Sequence, residues 1–296
     1  MKNSRSYKKY LNKRNMFVYL IIIIAAFIAN VTINPSTKPL KDETLRCHAI
    51  DVKHGDSILF VMPGGETMLI DSGTKAQSGK VVSYLKEQSV KKIDLLVGTH
   101  PHADHIGGMT AVLDNFEVGE IWDSGYIHGS ATQKNYYKQI KKKKIPFRIV
   151  KRGYRAKLGG AELEVLAPAK KLEGTHSDPN NNCVVMLVTY GDVSFLMTGD
   201  MEHEERKTIS PLPSCTVLKM AHHGSHNGVD RRMLEETSPR FVIFSFAKDN
   251  SYGLPHKKTM KLLKNRADII KLSTTKGDVV IKTDGKSVHY QRSRVM

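Results

Sequence analysis

Cysteine is scarce in this 296-residue chain: only Cys47, Cys183 and Cys215 are present. The count is odd and no Cys-x-x-Cys pair occurs, so no disulfide framework is implied. Cys183 and Cys215 sit in apolar, strand-like runs and read as buried thiols. Acidic residues are also short, 29 against 46 Lys and Arg, which leaves a net charge of +17. Six of the basic residues (Lys2, Arg5, Lys8, Lys9, Lys13 and Arg14) precede the first apolar run. The other 40 still exceed the 29 acids by 11. A basic body of this kind suits a polyanionic partner such as nucleic acid, teichoic acid or a phospholipid surface. No internal repeat is present, and no low-complexity segment beyond the basic tail.

One long apolar run exists, from Met16 to Ala29, continued after Asn30 by Val31-Thr32-Ile33. As a helix, Phe17–Ile33 would span roughly 25 Å, close to a bilayer core of about 30 Å. The basic flank assigns residues 1–15 to a cytoplasmic tail and 16–33 to a signal anchor or signal peptide, with all that follows outside. No Ala-x-Ala cleavage site stands before Ala29, because Phe27 occupies the position that needs a small residue. An anchored protein with an extracellular body is the expectation, and a secreted one if the segment is cleaved. Residues 34–44, with Pro35 and Pro39, form a linker. The globular body is expected over 45–296, and 40 % hydrophobic with 25 % charged residues is a globular composition.

Within that body the stretch Thr99-His100-Pro101-His102-Ala103-Asp104-His105 stands apart. Three histidines and an aspartate fall within six residues, directly after the buried-strand pattern Ile93–Gly98. A strand ending in a tight polar loop can aim several short side chains at one point, and imidazole with carboxylate suits zinc, manganese or iron(II). Strands are expected over 46–51, 57–62, 67–71, 121–122, 161–167, 216–220, 241–246, 269–272, 279–282 and 287–291. Two further strands, 184–190 and 193–198, should form a hairpin about Gly191-Asp192. Helices are expected over 79–88 and 259–265, and from Asp200 as a candidate N-cap to Ile209. The segment 124–144, with Tyr126, His128, Tyr136, Tyr137 and Lys141–Lys144, either carries a solvated helix or a face that tracks phosphates and stacks bases.

The His-x-His-x-Asp-His run resembles the signature of the metallo-β-lactamase superfamily. That resemblance implies an early strand ending in an Asp, a later strand ending in a bridging Asp, and a last His after another strand. Asp71, Asp200 and the pair His222-His223 stand at those places in order. The runs Asp51-Val52-x-x-Gly55-Asp56-Ser57, Asn181-Asn182, Leu218–Ser225 and Asn250-Ser251-Tyr252-Gly253-x-Pro255-His256 narrow the likeness to the extracellular hydrolase domain of ComEC-type DNA-uptake proteins. That branch also includes stand-alone secreted hydrolases and is related to choline-phosphate esterases. The long multi-helix channel of full ComEC proteins is not in this chain, which looks like the hydrolase domain alone on a single anchor. The implied fold is α/β, an αββα four-layer sandwich over 46–291, preceded by one N-terminal hydrophobic helix. Lys53-His54, Cys183, Ala247 and Leu254 depart from the branch at positions that bear on substrate choice. The superfamily's usual His between the metal loop and the bridging Asp is also missing. His176 is near, but Asn182 holds the start of the following strand.

By the resemblance, His100 and His102 bind one divalent ion, Asp104, His105 and His223 the other, and Asp200 bridges them. Zinc is the favoured metal and manganese the alternative. Asp104 and Asp200 are thus catalytic as well as ligating. Asp71 would orient the loop histidines, and Asn182, His222, Ser225 and Tyr252 would support the site or touch substrate. Either His222 or His223 suffices as the last ligand; His223, directly before Gly224, is preferred. His226 and His256 are candidate proton donors or phosphate contacts. The expected activity is phosphodiester hydrolysis of extracellular DNA by a hydroxide held between the two ions, in contact with DNA-uptake machinery. A cell-wall or phosphorylcholine-type ester is the second substrate class, β-lactam hydrolysis a third. A non-catalytic, membrane-tethered DNA-binding module is the alternative of a different kind.

Overall fold

The computed structural model describes residues 43–292. The basic tail 1–15, the hydrophobic segment 16–33 and most of the linker 34–44 lie outside the described residues. Among the described residues no helix is long and apolar enough to cross a membrane.

Short aliphatic runs between Gly, Pro and Asp turns set the strands. In chain order the elements are β1 (Leu45–Ala49), β2 (Ile58–Val61), β3 (Thr67–Ile70), α1 (Ser78–Glu87), β4 (Lys92–Gly98), α2 (Ala103–Ile106), α3 (Met109–Asn115) and β5 (Glu117–Asp123). There follow α4 (Ala131–Lys143), β6 (Phe147–Ile149), β7 (Arg155–Leu158), β8 (Ala161–Ala167), β9 (Val185–Tyr190), β10 (Val193–Met197), α5 (His203–Ile209) and β11 (Val217–Lys219). Then come α6 (Arg231–Thr237), β12 (Phe241–Phe244), α7 (Lys257–Lys264), β13 (Ile270–Ser273), β14 (Val279–Thr283) and β15 (Val288–Arg292). An eight-stranded sheet has the order β15-β14-β1-β2-β3-β4-β5-β6, and a seven-stranded sheet the order β13-β12-β11-β10-β9-β8-β7.

The sheets face one another across an apolar layer that includes Phe60, Trp122, Leu163, Phe195 and Ile281. Phe60 meets Phe195 edge-to-face at 5.4 Å, a contact worth about 0.5–1.5 kcal/mol beyond its area. Helices cover both outer faces. Val81, Val82 and Leu85 of α1, Val112 of α3 and Tyr136 of α4 cover one sheet. Ile209 of α5, Met233 of α6 and Leu263 of α7 cover the other. Each large side chain so buried contributes about 1.5–3 kcal/mol. The result is the αββα sandwich.

One open alternative is decided and one local expectation is corrected. Tyr136 is fully buried in the helical layer, and the Tyr137 hydroxyl donates to Asp123 at 3.0 Å. The aromatics of α4 therefore serve the core, while its lysines, with Ala131 and Asn135, face solvent. Asp200 does not cap α5: that place belongs to Glu202, without a side-chain cap bond. Strands β6 and β7 and helix α6 had no sequence expectation. All three residues of β6 are exposed, so it lacks the buried period that marks a strand.

The parallel runs are β3–β4–β5–β6 in one sheet and β10–β11–β12–β13 in the other. Loops leaving the carboxyl ends of parallel strands form the usual crevice of open α/β sheets. Here they converge from both sheets. The Val184 amide donates to Thr99 O at 2.8 Å, and Ser245 Oγ donates to Gly55 O at 2.6 Å.

Candidate metal centre

The loop after β4 is held from beneath by Asp71, which follows β3 with a left-handed φ of 58°. Its Oδ1 accepts from the Thr99 amide at 2.9 Å, and its Oδ2 accepts from Thr99 Oγ1 and His105 Nδ1, both at 2.7 Å. Spending Nδ1 on Asp71 fixes the His105 ring and turns Nε2 outward. That nitrogen lies 3.3 Å from Asp200 Oδ2 and 3.7 Å from Asp104 Oδ2. Gly55 closes on the same loop: a Cβ there would stand 1.8 Å from Asp104 O, and its φ of +101° suits only glycine.

The other sheet supplies Asp200, after β10, and His223, after β11. Gly199, with φ +50°, lets this turn approach Thr99, whose Cβ would be 3.2 Å from an added Cβ. His222, His223 and Gly224 have φ of 46°, 54° and 87° in succession. Such a run is costly for residues with a Cβ and is retained where geometry is over-determined by its surroundings. It sends the two rings to different places. His223 Nε2 lies 3.4 Å from Asp200 Oδ2 and 3.5 Å from Asp104 Oδ2. His222 gives Nδ1 to Glu202 Oε1 at 3.1 Å and holds Nε2 3.8 Å from Asp200 Oδ2.

Ligand atoms of Asp104, His105, Asp200 and His223 all lie within 4.8 Å of one another. His100 packs its ring 4.1 Å from that of His105, with Nε2 3.9 Å from Asp200 Oδ2 and 3.1 Å from His102 Nδ1. Buried polar atoms normally find partners, and an orphan costs about 1–3 kcal/mol. His105 Nε2, His223 Nε2 and Asp200 Oδ1 have no hydrogen-bond partner, although all three are buried and converge. Burial alone would discharge His223, yet Asp200 and Asp104 beside it push its pKa up to about 9. Burial would raise Asp200, but His223 and His105 hold it well below the usual carboxylate range. Burial and the neighbouring His105 keep His100 well below the ordinary imidazole value, hence neutral and able to ligate. The cluster asks for positive charge at its centre and offers N and O donors to it. A divalent cation fits these residues.

Above the cluster opens a cleft of about 660 Å³ lined by His54, His102, Asp104, His176, Asn180, Asp200, Glu202, His222, Ser225, Asn227, Tyr252 and His256, among others. Tyr252 is 66 % exposed and stacks on His54 at 5.0 Å, and His54 Nε2 lies 3.4 Å from Asp104 Oδ2.

The structure thus brings Asp104, His105, Asp200 and His223 around one point with His100 and His102 beside them, Asp71 beneath, and His222, Ser225, Tyr252 and His256 at the cleft. Two residues fall elsewhere. Asn182 donates to Leu172 O at 2.8 Å and Asp178 O at 2.7 Å, so its amide pins the preceding loop, and Asn180 faces the cleft instead. His226 leaves the cleft wall for a neighbouring groove, although its ring is 4.4 Å from that of His256. Sequence reasoning passed over Glu202, Asp56 and Lys219. Glu202, 1 % exposed, accepts from His222 and from Asn180 Nδ2 at 3.4 Å. Asp56 Oδ1 lies 3.6 Å from His223 Nδ1, and its Oδ2 meets the buried Lys219 Nζ at 2.8 Å. Asp56 and Lys219 lay within the motifs already singled out, but neither is of a type that signals its partner.

Among protein families, the model described as the metallo-beta-lactamase superfamily matches residues 50–245. The chain is 26 % identical over 239 residues to ComE operon protein 3 of Bacillus subtilis, covering 74 % of this chain and 30 % of that protein. It is 27 % identical over 244 residues to competence protein ComA of Neisseria gonorrhoeae, covering 80 % of this chain and 31 % of that one. The chain therefore spans less than a third of the length of these curated relatives. In fold it is similar to the metallo-beta-lactamase fold protein YhfI of Bacillus subtilis, with a TM-score of 0.51 at 14 % identity over 77 % of this chain and 95 % of that one.

Proposed function

The chain belongs to the metallo-beta-lactamase superfamily, a family of metal-dependent hydrolases, and from that premise we propose that it is a phosphodiesterase that cleaves DNA outside the cell. The observation that carries this reading is the buried cluster of orphaned imidazole and carboxylate atoms beneath an open, histidine-lined cleft. The basic body supports a polyanionic substrate. The competence relatives favour DNA and contact with an uptake machinery. The apolar run 16–33 behind its basic flank supports a tether in the cell membrane.

His100, His102 and Asp200 would hold one ion; Asp104, His105 and His223, with Asp200 between, would hold the second. Zinc suits this N/O set and manganese is the alternative. When bound, two such ions supply a water acidic near neutral pH and charge for the attacking and leaving oxygens of an in-line displacement. The chain's own residues do the rest. Asp71 keeps His105 in the tautomer that frees Nε2, and Asp56 faces Nδ1 of His223. Glu202 accepts from His222 Nδ1 and so orients the ring with Nε2 toward the cleft, where its doubly protonated form can donate Nε2–H to a phosphoryl oxygen. His256, on the rim, can return a proton to the leaving oxygen. Tyr252 offers an exposed ring on which the neighbouring base can stack.

The test uses the full chain in detergent, stripped of metal and reloaded with zinc or manganese. Single-stranded DNA, duplex DNA and bis-p-nitrophenyl phosphate are offered separately. DNA cleavage that returns with metal and is lost in Asp200→Ala is the expected result. Cleavage of the small diester alone would move the substrate to wall or phospholipid esters. No turnover of any of the three, with salt-dependent DNA binding intact, would leave a tethered binding module.

A further inference from the structure

Beside the catalytic cleft, between α6 and α7, runs a second and larger hollow of about 840 Å³. The loop Ser225–Asn227 separates the two. Asn227 lines the cleft, and His226 lines the hollow with its ring 4.4 Å from that of His256 on the cleft rim. The floor is apolar, built on the buried Val229 and Leu234. The walls are charged. Helix α7 reads Lys-Lys-Thr-Met-Lys-Leu-Leu-Lys, four lysines and no acid in eight residues. Two of them, Lys258 and Lys261, line the hollow opposite Arg231 of α6. All three are exposed, and none is ion-paired among the described residues. The acid Asp230 on the same wall is already matched by Arg206, whose Nη1 donates to it at 2.7 Å. Arg266 is matched by Asp268. Glu235 is the remaining acid. The free charge of the hollow is therefore positive, and it opens next to the proposed seat of the scissile phosphate.

We infer that this groove is the track for the DNA strand on one side of the cleavage point, with Lys258, Lys261 and Arg231 meeting successive phosphates. The inference rests on the phosphodiesterase reading, and it assigns the strand-holding role to α7. Helix α4, also rich in lysine, has its aromatics in the core and faces away from such a role. A groove that tracks the backbone without reading bases binds through counterion release, so its signature is a salt slope.

The experiment measures anisotropy of a fluorescein-labelled single-stranded oligonucleotide on the metal-stripped full chain in detergent, across a series of salt concentrations. Lys258→Ala/Lys261→Ala is compared with wild type and with Lys141→Ala/Lys142→Ala on α4. Both pairs are exposed lysines, so both variants fold. Loss of two phosphate contacts should reduce the slope of log affinity against log salt by about 1.4 and weaken binding about 25-fold at 0.1 M salt. The α4 variant should bind like wild type. Turnover of bis-p-nitrophenyl phosphate by the metal-loaded α7 variant should be unchanged, since that diester fills the cleft and does not reach the groove. Unchanged slope and affinity in the α7 variant, or an equal loss in the α4 variant, would overturn the groove. Anisotropy reads the groove without turnover, and the small diester reads the metal centre without the groove, so failure of one is distinguishable from failure of the other.

Discussion

Lys219→Met is expected to destabilise the protein by about 3–5 kcal/mol, the usual effect of removing one partner from a buried ion pair. Lys219 ends β11 with 1 % of its surface exposed, and its Nζ lies 2.8 Å from Asp56 Oδ2 and 2.9 Å from Met220 O. Methionine keeps most of the stem volume, so the packing loss is below about 1.5 kcal/mol. The larger part comes from Asp56, 2 % exposed, which keeps only a long contact to His223 at 3.6 Å. For a domain of this size about 1 kcal/mol moves Tm by 2–4 °C, so Tm should fall by about 6–20 °C. Thermal unfolding of the metal-stripped chain, followed by far-ultraviolet circular dichroism, reads this directly. Asp56→Asn in the same background removes the stranded carboxylate. The double variant should therefore be less destabilised than the sum of the singles, by about 0.5–3 kcal/mol. A Tm loss under 3 °C for Lys219→Met, or strict additivity in the cycle, would refute the reasoning.

Asp71→Asn should weaken metal binding about 10–100-fold, because the His105 ring loses the acceptor that fixes it; competition with a chromophoric chelator measures this. Metal at about a thousand times its Kd should stabilise the fold by about 4 kcal/mol, so chelation should lower Tm by about 8–16 °C. Burial, and then Arg46 and Lys282, push the pKa of His48 down from 6.5 to about 3, while its Nδ1 rests 2.9 Å from the Tyr84 hydroxyl. The folded state thus refuses a proton the unfolded chain accepts, and stability is lost as pH falls from 6.5 toward 3. His48→Gln should flatten that part of the stability profile in urea titrations at pH 7, 5.5 and 4. Tyr252→Ala should raise KM for single-stranded DNA by about 5- to 150-fold, the worth of one base stacked on an aromatic ring, and leave the small diester untouched. Equal effects on both substrates would remove the stacking role.

Much of this protein is legible without coordinates. Strands β3, β4, β9 and β10 were visible as largely apolar runs to within a residue or two, because a strand buried on both faces needs such a run, and β8 was visible by its alternation of buried and more exposed residues. The cluster His100-x-His102-x-Asp104-His105 was visible because its donors are neighbours in the chain, so their convergence needs only a tight loop. Asp71, Asp200 and the pair His222-His223 were found through the resemblance, which asks for such residues after successive strands, and the choice of His223 was left to the fold. Other features were decided by the two sheets meeting. Asp56 and Lys219 come from different sheets and become an ion pair only across the core. Asn180 reaches the cleft while Asn182, two residues on, holds a loop, a choice made by the 3-10 turn between them. His222 and His223 differ in task because a left-handed backbone splays adjacent rings. The groove of α6 and α7 joins residues 231 and 261, and no local pattern announces it. Periodicity and clustered donors report interactions that are short in sequence. A lone polar or charged side chain takes its role from whatever distant element packs against it, and only the folded arrangement supplies that neighbour.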